Sequence, residues 1–192
     1  MSQDFRQGVG FSHQLFKEHI KKGAIVIDAT AGNGHDTLFL AKLVGPEGQV
    51  LAFDIQERAI RRTEVLLEKE GISDRVRLIQ DGHENLGDYL NTSVDGILFN
   101  LGYLPGGDKE IITRPETTLK AVKSGLRLLK PGGLMALVIY SGHPGGREEK
   151  EALLKYAVSL DYQEYNVLHY HFVNQFKAPS EVLAIKKRSN LR

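Results

Sequence analysis

A short β-branched run that ends on a carboxylate and breaks at once into small residues constrains this chain more than any other stretch: Ile25-Val26-Ile27-Asp28, then Ala-Thr-Ala-Gly-Asn-Gly-His-Asp36. The run reads as a buried strand, and the small residues after it read as a turn from which a helix over residues 35–44 starts. Strand, glycine-bearing turn and helix make a cradle for a nucleotide-like ligand. Glycines let the backbone approach, and the first helical turn offers unpaired N–H groups. A second strand, residues 49–54, ends on Asp54. A carboxylate at that distance can take the two hydroxyls of a ribose, so the pair points to a cofactor that contains adenosine.

The composition narrows the setting. At 192 residues the length suits one domain with a full core, so a single domain over residues 1–192 is expected, its N-terminal helix within residues 1–22 covering the site. The absence of cysteine excludes disulfides, cysteine-ligated zinc, iron–sulfur clusters and thiol catalysis. No window approaches the roughly 18 apolar residues needed to cross a bilayer, and the first ten residues carry no apolar leader, so a cytoplasmic protein without membrane contact is expected. With a net charge of +1, any contact with nucleic acid has to come from local basic patches. Oligomeric state stays open, with a homodimer among the states allowed.

Phe11, Leu15, Phe16 and Ile20 recur at roughly helical spacing and predict a first helix over residues 9–22, with Ser12 as its cap. Further helices are expected over residues 57–70, 113–129 and 147–160, with a short one to about residue 90. Strands are expected at 75–80, 94–100, 134–140, 163–172 and 181–187. Lys130-Pro-Gly-Gly133 reads as a tight turn, and residues 101–108 as a loop shaped by glycine and proline. The connection before the last strand is too short for a crossover helix, so that strand must be antiparallel. The class is α/β: a doubly wound, mostly parallel sheet with one antiparallel strand near its edge and helices on both faces.

A nicotinamide enzyme wants Gly-x-Gly-x-x-Gly, yet Thr37 stands where the third glycine belongs. An NAD-dependent oxidoreductase is therefore the weaker alternative. The stretch resembles motif I of the class I S-adenosylmethionine-dependent methyltransferases: Asp28, Gly32 and Gly34 match it, while Thr30 replaces the first glycine. The resemblance implies the Rossmann-like class I methyltransferase fold with seven strands, and S-adenosyl-L-methionine as cofactor. It places Asp28 near the methionine amino group, Gly32, Asn33 and Gly34 along the cofactor, and Asp36 and Thr37 at the helix start. Asp54 with Gln56 would hold the ribose, and Asp81 with His83 would flank the adenine, Asp81 accepting from its exocyclic amine.

DATAGNGHDT, FNLGYLPGGDK and Ser12-His13 also look like one small bacterial family, catalogued as rRNA methylases and containing the tRNA 5-aminomethyl-2-thiouridine methyltransferase. That likeness implies tRNA, through its anticodon stem-loop, as partner and the aminomethyl nitrogen of the wobble uridine as target. Ribosomal RNA and a protein or small-molecule amine are the alternatives.

Methyl transfer to an amine is an in-line displacement, helped most by holding the nitrogen close and aimed. Asn100 ends the fourth strand, where its amide oxygen can accept from the amine; a turn cap at a strand end is the plainer reading. Asn100-Leu-Gly-Tyr103 loosely resembles the Asn/Asp-Pro-Pro-Tyr signature of amino-group methyltransferases, both prolines being absent. Tyr103 can stack on a splayed-out base or simply cover the core. Asp108 and His13 are the two candidates to take the proton. His143 reads as an ordinary satisfied histidine. His169 and His171 share one face of a strand without a carboxylate-rich partner, so no metal is expected. Lys109 and Arg114 flank the loop and can meet phosphate.

Overall fold

The structure is a computed structural model that describes residues 7–106, 111–175 and 179–189. Seven strands, β1 Ile25–Asp28, β2 Gln49–Phe53, β3 Val76–Ile79, β4 Val94–Asn100, β5 Leu129–Ile139, β6 Tyr165–Tyr170 and β7 Glu181–Lys187, form one sheet in the order β3-β2-β1-β4-β5-β7-β6. Strands β1 to β5 pair in parallel, and β7 runs antiparallel between β5 and β6. The reversed strand thus sits one place in from the edge, as its short connection to β6 requires. Strand order changes direction between β1 and β4, which opens a crevice beyond their carboxyl ends.

Among the described residues five α-helices flank the sheet: α1 Gly8–His19, α2 His35–Val44, α3 Glu57–Lys69, α4 Pro115–Leu128 and α5 Gly146–Val158. Alternate strand residues face opposite layers. Val26, Leu98, Ala136 and Val182 pack with Phe16 of α1 and Leu40 of α2, while Ile27, Ile97, Leu137 and Leu183 pack with Val122 of α4 and Leu153 of α5. Because both faces are covered, the central strands are apolar along nearly their whole length, the pattern of a buried parallel sheet. Among the described residues no helix is long and apolar enough to cross a membrane.

Two local expectations need correction. The first helix ends at His19, because Ile20 turns extended, and it starts early enough that Ser12 lies buried inside it with its hydroxyl on the Val9 carbonyl (2.8 Å). Ser12 is therefore no cap. The short helix expected before residue 90 is present over His83–Tyr89, of 3-10 type. Lys130-Pro-Gly-Gly133 lies within β5: Leu129 already pairs with Val94, and the register shifts before Gly96 meets Leu134, so these four residues are a bulge that the sheet absorbs.

Candidate active site

At the carboxyl ends of β1, β2, β4 and β5 lies a cavity of about 1470 Å3, walled by Gly32, Asp54, Asp81, Asn100, Tyr103 and Tyr140 among others. A single small-ligand site spans roughly 300–1,000 Å3, so this one has room for two molecules side by side.

One half is built around carboxylates at strand tips. Asp54 follows β2; its Oδ2 accepts from the Gly32 N–H (2.9 Å) and its Oδ1 from the Gln56 N–H (2.9 Å). Each oxygen keeps a lone pair, the requirement for taking a pair of vicinal hydroxyls. Burial pushes the Asp54 carboxyl up, and the two backbone donors pull it back. Gly32 adopts φ +56°, a left-handed conformation that a side chain disfavours. Asp81 follows β3; Tyr89 donates to its Oδ2 (2.8 Å), while Asn85 and the Gly82 N–H donate to Oδ1 (3.0 and 2.7 Å). The Tyr89 bond foremost, then that of Asn85, holds this carboxyl below the usual range, so it is an ionised acceptor at neutral pH. His83 lines the same side, but burial lowers its pKa and it packs edge-on against Phe99. Asn33 spans outward: its Nδ2 donates to the Pro105 carbonyl (3.3 Å), and its Oδ1 accepts from Arg62 (2.8 Å).

Three residues of the first motif lie beneath the turn. Asp28 is 1% exposed, with Oδ2 accepting from the Thr37 hydroxyl (2.6 Å) and Oδ1 from the Thr30 N–H (3.1 Å). Gly34, at φ +85°, caps α2 where a Cβ would come within 3.0 Å of the Thr63 Cα on α3. Asp28, Gly34 and Thr37 therefore brace the turn from inside.

Burial first, and the charge of Asp36 second, lift the Asp28 carboxyl from its ordinary 3.8 to about 7. A carboxyl whose pKa is raised by folding adds stability below its unfolded value and loses that contribution as pH climbs through the folded one. The melting temperature is thus expected to fall between about pH 4 and about pH 8, and Asp28→Asn, which keeps the shape, is expected to flatten the fall. Thermal denaturation of both proteins across that range checks this, and equal slopes would refute it.

The other half of the cavity centres on Asn100. Its backbone N–H donates to Thr30 Oγ1 (2.7 Å), so the threonine that replaces a motif glycine ties the tip of β1 to that of β4. Its side-chain Nδ2 donates to Asp36 Oδ2 (2.9 Å), and Asp36 Oδ1 is 2.6 Å from His13 Nε2. His13 in turn stacks on Phe39 at 3.8 Å. A carboxylate only accepts, so Asp36 fixes which end of the amide is NH2 and leaves the carbonyl oxygen for the cavity. His13 is not among the residues that line the cavity, and Asp36 stands between it and Asn100. Asp108 and Lys109 lie outside the described residues.

The loop after β4 is closed at its base by a bridge between Tyr103 and Ile112. Gly102 N–H donates to Thr113 Oγ1 (2.9 Å), and that hydroxyl donates to Glu149 Oε2 (2.8 Å). Thr118 donates to Glu149 Oε1 (2.6 Å), and burial raises the Glu149 carboxyl. Tyr103, 43% exposed, meets His143 edge-on at 6.2 Å. Glu149 and Tyr140 escaped the sequence reading. The one signal for Glu149 was an acid in helical register with Leu153 and Ala157, on the face that α5 buries. Away from the cavity, His169 contacts Glu181 (2.7 Å) and stacks on His171. No group of three or more side chains able to hold a metal occurs among the described residues.

A family model described as "Putative rRNA methylase" matches residues 50–186. The "tRNA (mnm(5)s(2)U34)-methyltransferase, chloroplastic" of Arabidopsis thaliana is 42% identical over 188 residues, 93% of this chain and 69% of that protein. A crystal structure described as a putative rRNA-methylase from Clostridium thermocellum is 44% identical with a TM-score of 0.94, over 96% of this chain and 99% of that one. A putative methyltransferase from Streptococcus mutans, in complex with SAH, is 38% identical with a TM-score of 0.88, again over 96% and 99% of the two chains.

Proposed function

The chain belongs to the putative rRNA methylase family and is an S-adenosylmethionine-dependent methyltransferase; from that premise we propose that it methylates the aminomethyl nitrogen of 5-aminomethyl-2-thiouridine at the wobble position of tRNA. The observation that carries this reading is the amide of Asn100, its NH2 end committed to Asp36 and its oxygen left to the cavity, an acceptor suited to a nitrogen that bears hydrogens. The printed name of the Arabidopsis relative supports the choice of tRNA. The nicotinamide alternative gives way, since the relatives are methyltransferases and one of them holds SAH.

The cavity's own groups suit the cofactor. Asp54 offers a lone pair on each oxygen to the ribose hydroxyls, Asp81 offers an ionised acceptor to the adenine amine, and Gly32 brings the turn alongside. When bound, the cofactor supplies a methyl group on a positively charged sulfur. Asn100 Oδ1 accepts an N–H of the aminomethyl group and turns its lone pair along the line of attack. The bound cofactor would supply its methyl carbon to that nitrogen and keep the carbon–sulfur electron pair on sulfur, while Asn100 would hold one N–H and the nitrogen's surplus proton would have to be taken up nearby. Asp36 stands between His13 and the nitrogen, so His13 can hold that proton only by relay through Asp36. Tyr103 offers an exposed ring on which the extruded base can stack, and Arg114 lies at the rim where a phosphate can reach it. The wobble base is unpaired in the anticodon loop, so extrusion costs little. In this reading the enzyme acts in the cytoplasm as a single domain.

Mass spectrometry of tRNA nucleosides from a strain lacking the gene tests the substrate. Accumulation of 5-aminomethyl-2-thiouridine, reversed by restoring the gene, is the expected result. An unchanged tRNA profile removes this substrate, and a lost methyl mark in ribosomal RNA would replace it.

A further inference from the structure

We propose that Tyr140 is a second group that binds the methyl-accepting nitrogen, and that Asn100 and Tyr140 together select a primary amine and stop the reaction at one methyl. The inference rests on the function proposed above and concerns a residue which that reading leaves without a role.

Tyr140 is the first residue past β5. Asn100 pairs with Val138, and side chains alternate along a strand, so Tyr140 projects to the same side of the sheet as Val138, the side covered by α1 and α2. Asp36, which binds the Asn100 amide, starts on α2 on that same side. Tyr140 and Asn100 line one cavity, and the charge of Asp36 is felt by the phenol, adding to burial in keeping it protonated. Both side chains are held from behind by one helix. His13 of α1 holds Asp36, which holds Asn100. The Ser180 side chain hydrogen-bonds the phenol, and Ser180 Oγ accepts from the Gly8 N–H at the start of α1 (3.1 Å). A Cβ at Gly8 would lie 2.6 Å from that oxygen, so the glycine is what lets α1 come this close.

Hydroxyl hydrogens rotate to suit their partners. Ser180 works against burial and Asp36 by lowering the phenol's pKa, the mark of a hydroxyl that donates to the phenol oxygen, and that oxygen keeps a further lone pair for the cavity that Asn100 also lines. A primary amine has two N–H bonds and one lone pair. Two acceptors take both hydrogens and leave the lone pair directed at the incoming methyl. Once the nitrogen carries a methyl, its free base has one N–H, one acceptor is left unmatched, and the second transfer is disfavoured.

The test uses the full-length protein with tRNA from the deletion strain, comparing wild type with Tyr140→Phe and Ser180→Ala. Tyr140→Phe keeps the ring and its packing. Its kcat is expected to fall on the order of 10- to 100-fold, with SAH affinity by calorimetry within about twofold of wild type. Ser180→Ala, acting through the phenol, is expected to lower kcat less and to add nothing on top of Tyr140→Phe. Mass spectrometry of the products should show a dimethylated nucleoside rising relative to the monomethylated one in Tyr140→Phe. A Tyr140→Phe enzyme with wild-type kcat and product ratio overturns the assignment, as does a fall in kcat matched by an equal loss of SAH affinity, which would make the role structural. A wild type inactive on this tRNA would instead overturn the function reading, and the Tyr140 assignment with it.

Discussion

Asp54→Ala is expected to weaken binding of S-adenosylhomocysteine by at least about 100-fold. Hydrogen bonds to a charged acceptor are worth roughly 1.5–3 kcal/mol each, and two ribose hydroxyls on one carboxylate would total roughly 3–6 kcal/mol. A second loss adds to this, because the N–H groups of Gly32 and Gln56 lose the acceptor that now sets the turn and the start of α3. Asp54→Asn separates the two effects. It keeps one acceptor oxygen but turns an NH2 toward one of those N–H groups, so its affinity should fall between wild type and alanine. The carboxyl is already raised by burial, so neither variant is expected to unfold the protein. Isothermal titration of the three proteins decides the matter: if the alanine variant binds within threefold of wild type, the ribose is held elsewhere.

Asn100→Ala is expected to cost on the order of 10²- to 10³-fold in turnover, the scale seen when one preorganised polar contact to a reacting group is removed. Cofactor affinity should stay within about threefold, since the bond from Asn100 to Thr30 is made by the main chain and survives the substitution. Asp36 keeps His13 as its partner, which limits the damage behind the site. Asn100→Asp is the sharper variant. It would set two carboxyls within hydrogen-bonding distance, forcing them to share a proton, and activity should then vanish as pH rises and that proton is lost. Single-turnover rates read beside calorimetry separate the outcomes. Equal losses in rate and in SAH affinity would mean that Asn100 shapes the cavity and does not act on the amine.

Much of this architecture could be read before any coordinates. β1, α2, β4 and β7 lie within the bounds that their residue patterns predict, because each is set by contacts within a few positions: a β-branched run, a glycine able to take a positive φ, or a connection too short to cross over. That Asp54 and Asp81 line the cavity was legible for a related reason. A carboxylate at the tip of a parallel strand has few places to go except the crevice beyond it. The bulge in β5 was not legible, since Lys-Pro-Gly-Gly has the composition of a free turn and only pairing with β4 keeps it in the sheet.

Local pattern, then, was enough to establish the class of fold and to put Asp54, Asp81 and Asn100 at the strand ends that the cavity adjoins, since short-range sterics and the alternation of strand and helix leave few other arrangements. Packing between distant segments decided the remainder. Asp28 and Gly34 turn inward because Thr37 and Thr63 meet them there. Asn100 is oriented by an acid 64 positions away. Glu149 and Tyr140 acquire their surroundings only when α5 and α1 close over the strand tips. A buried carboxyl or phenol is defined by what surrounds it, and those neighbours are chosen by the order of strands and the seating of helices, which no short window of residues contains.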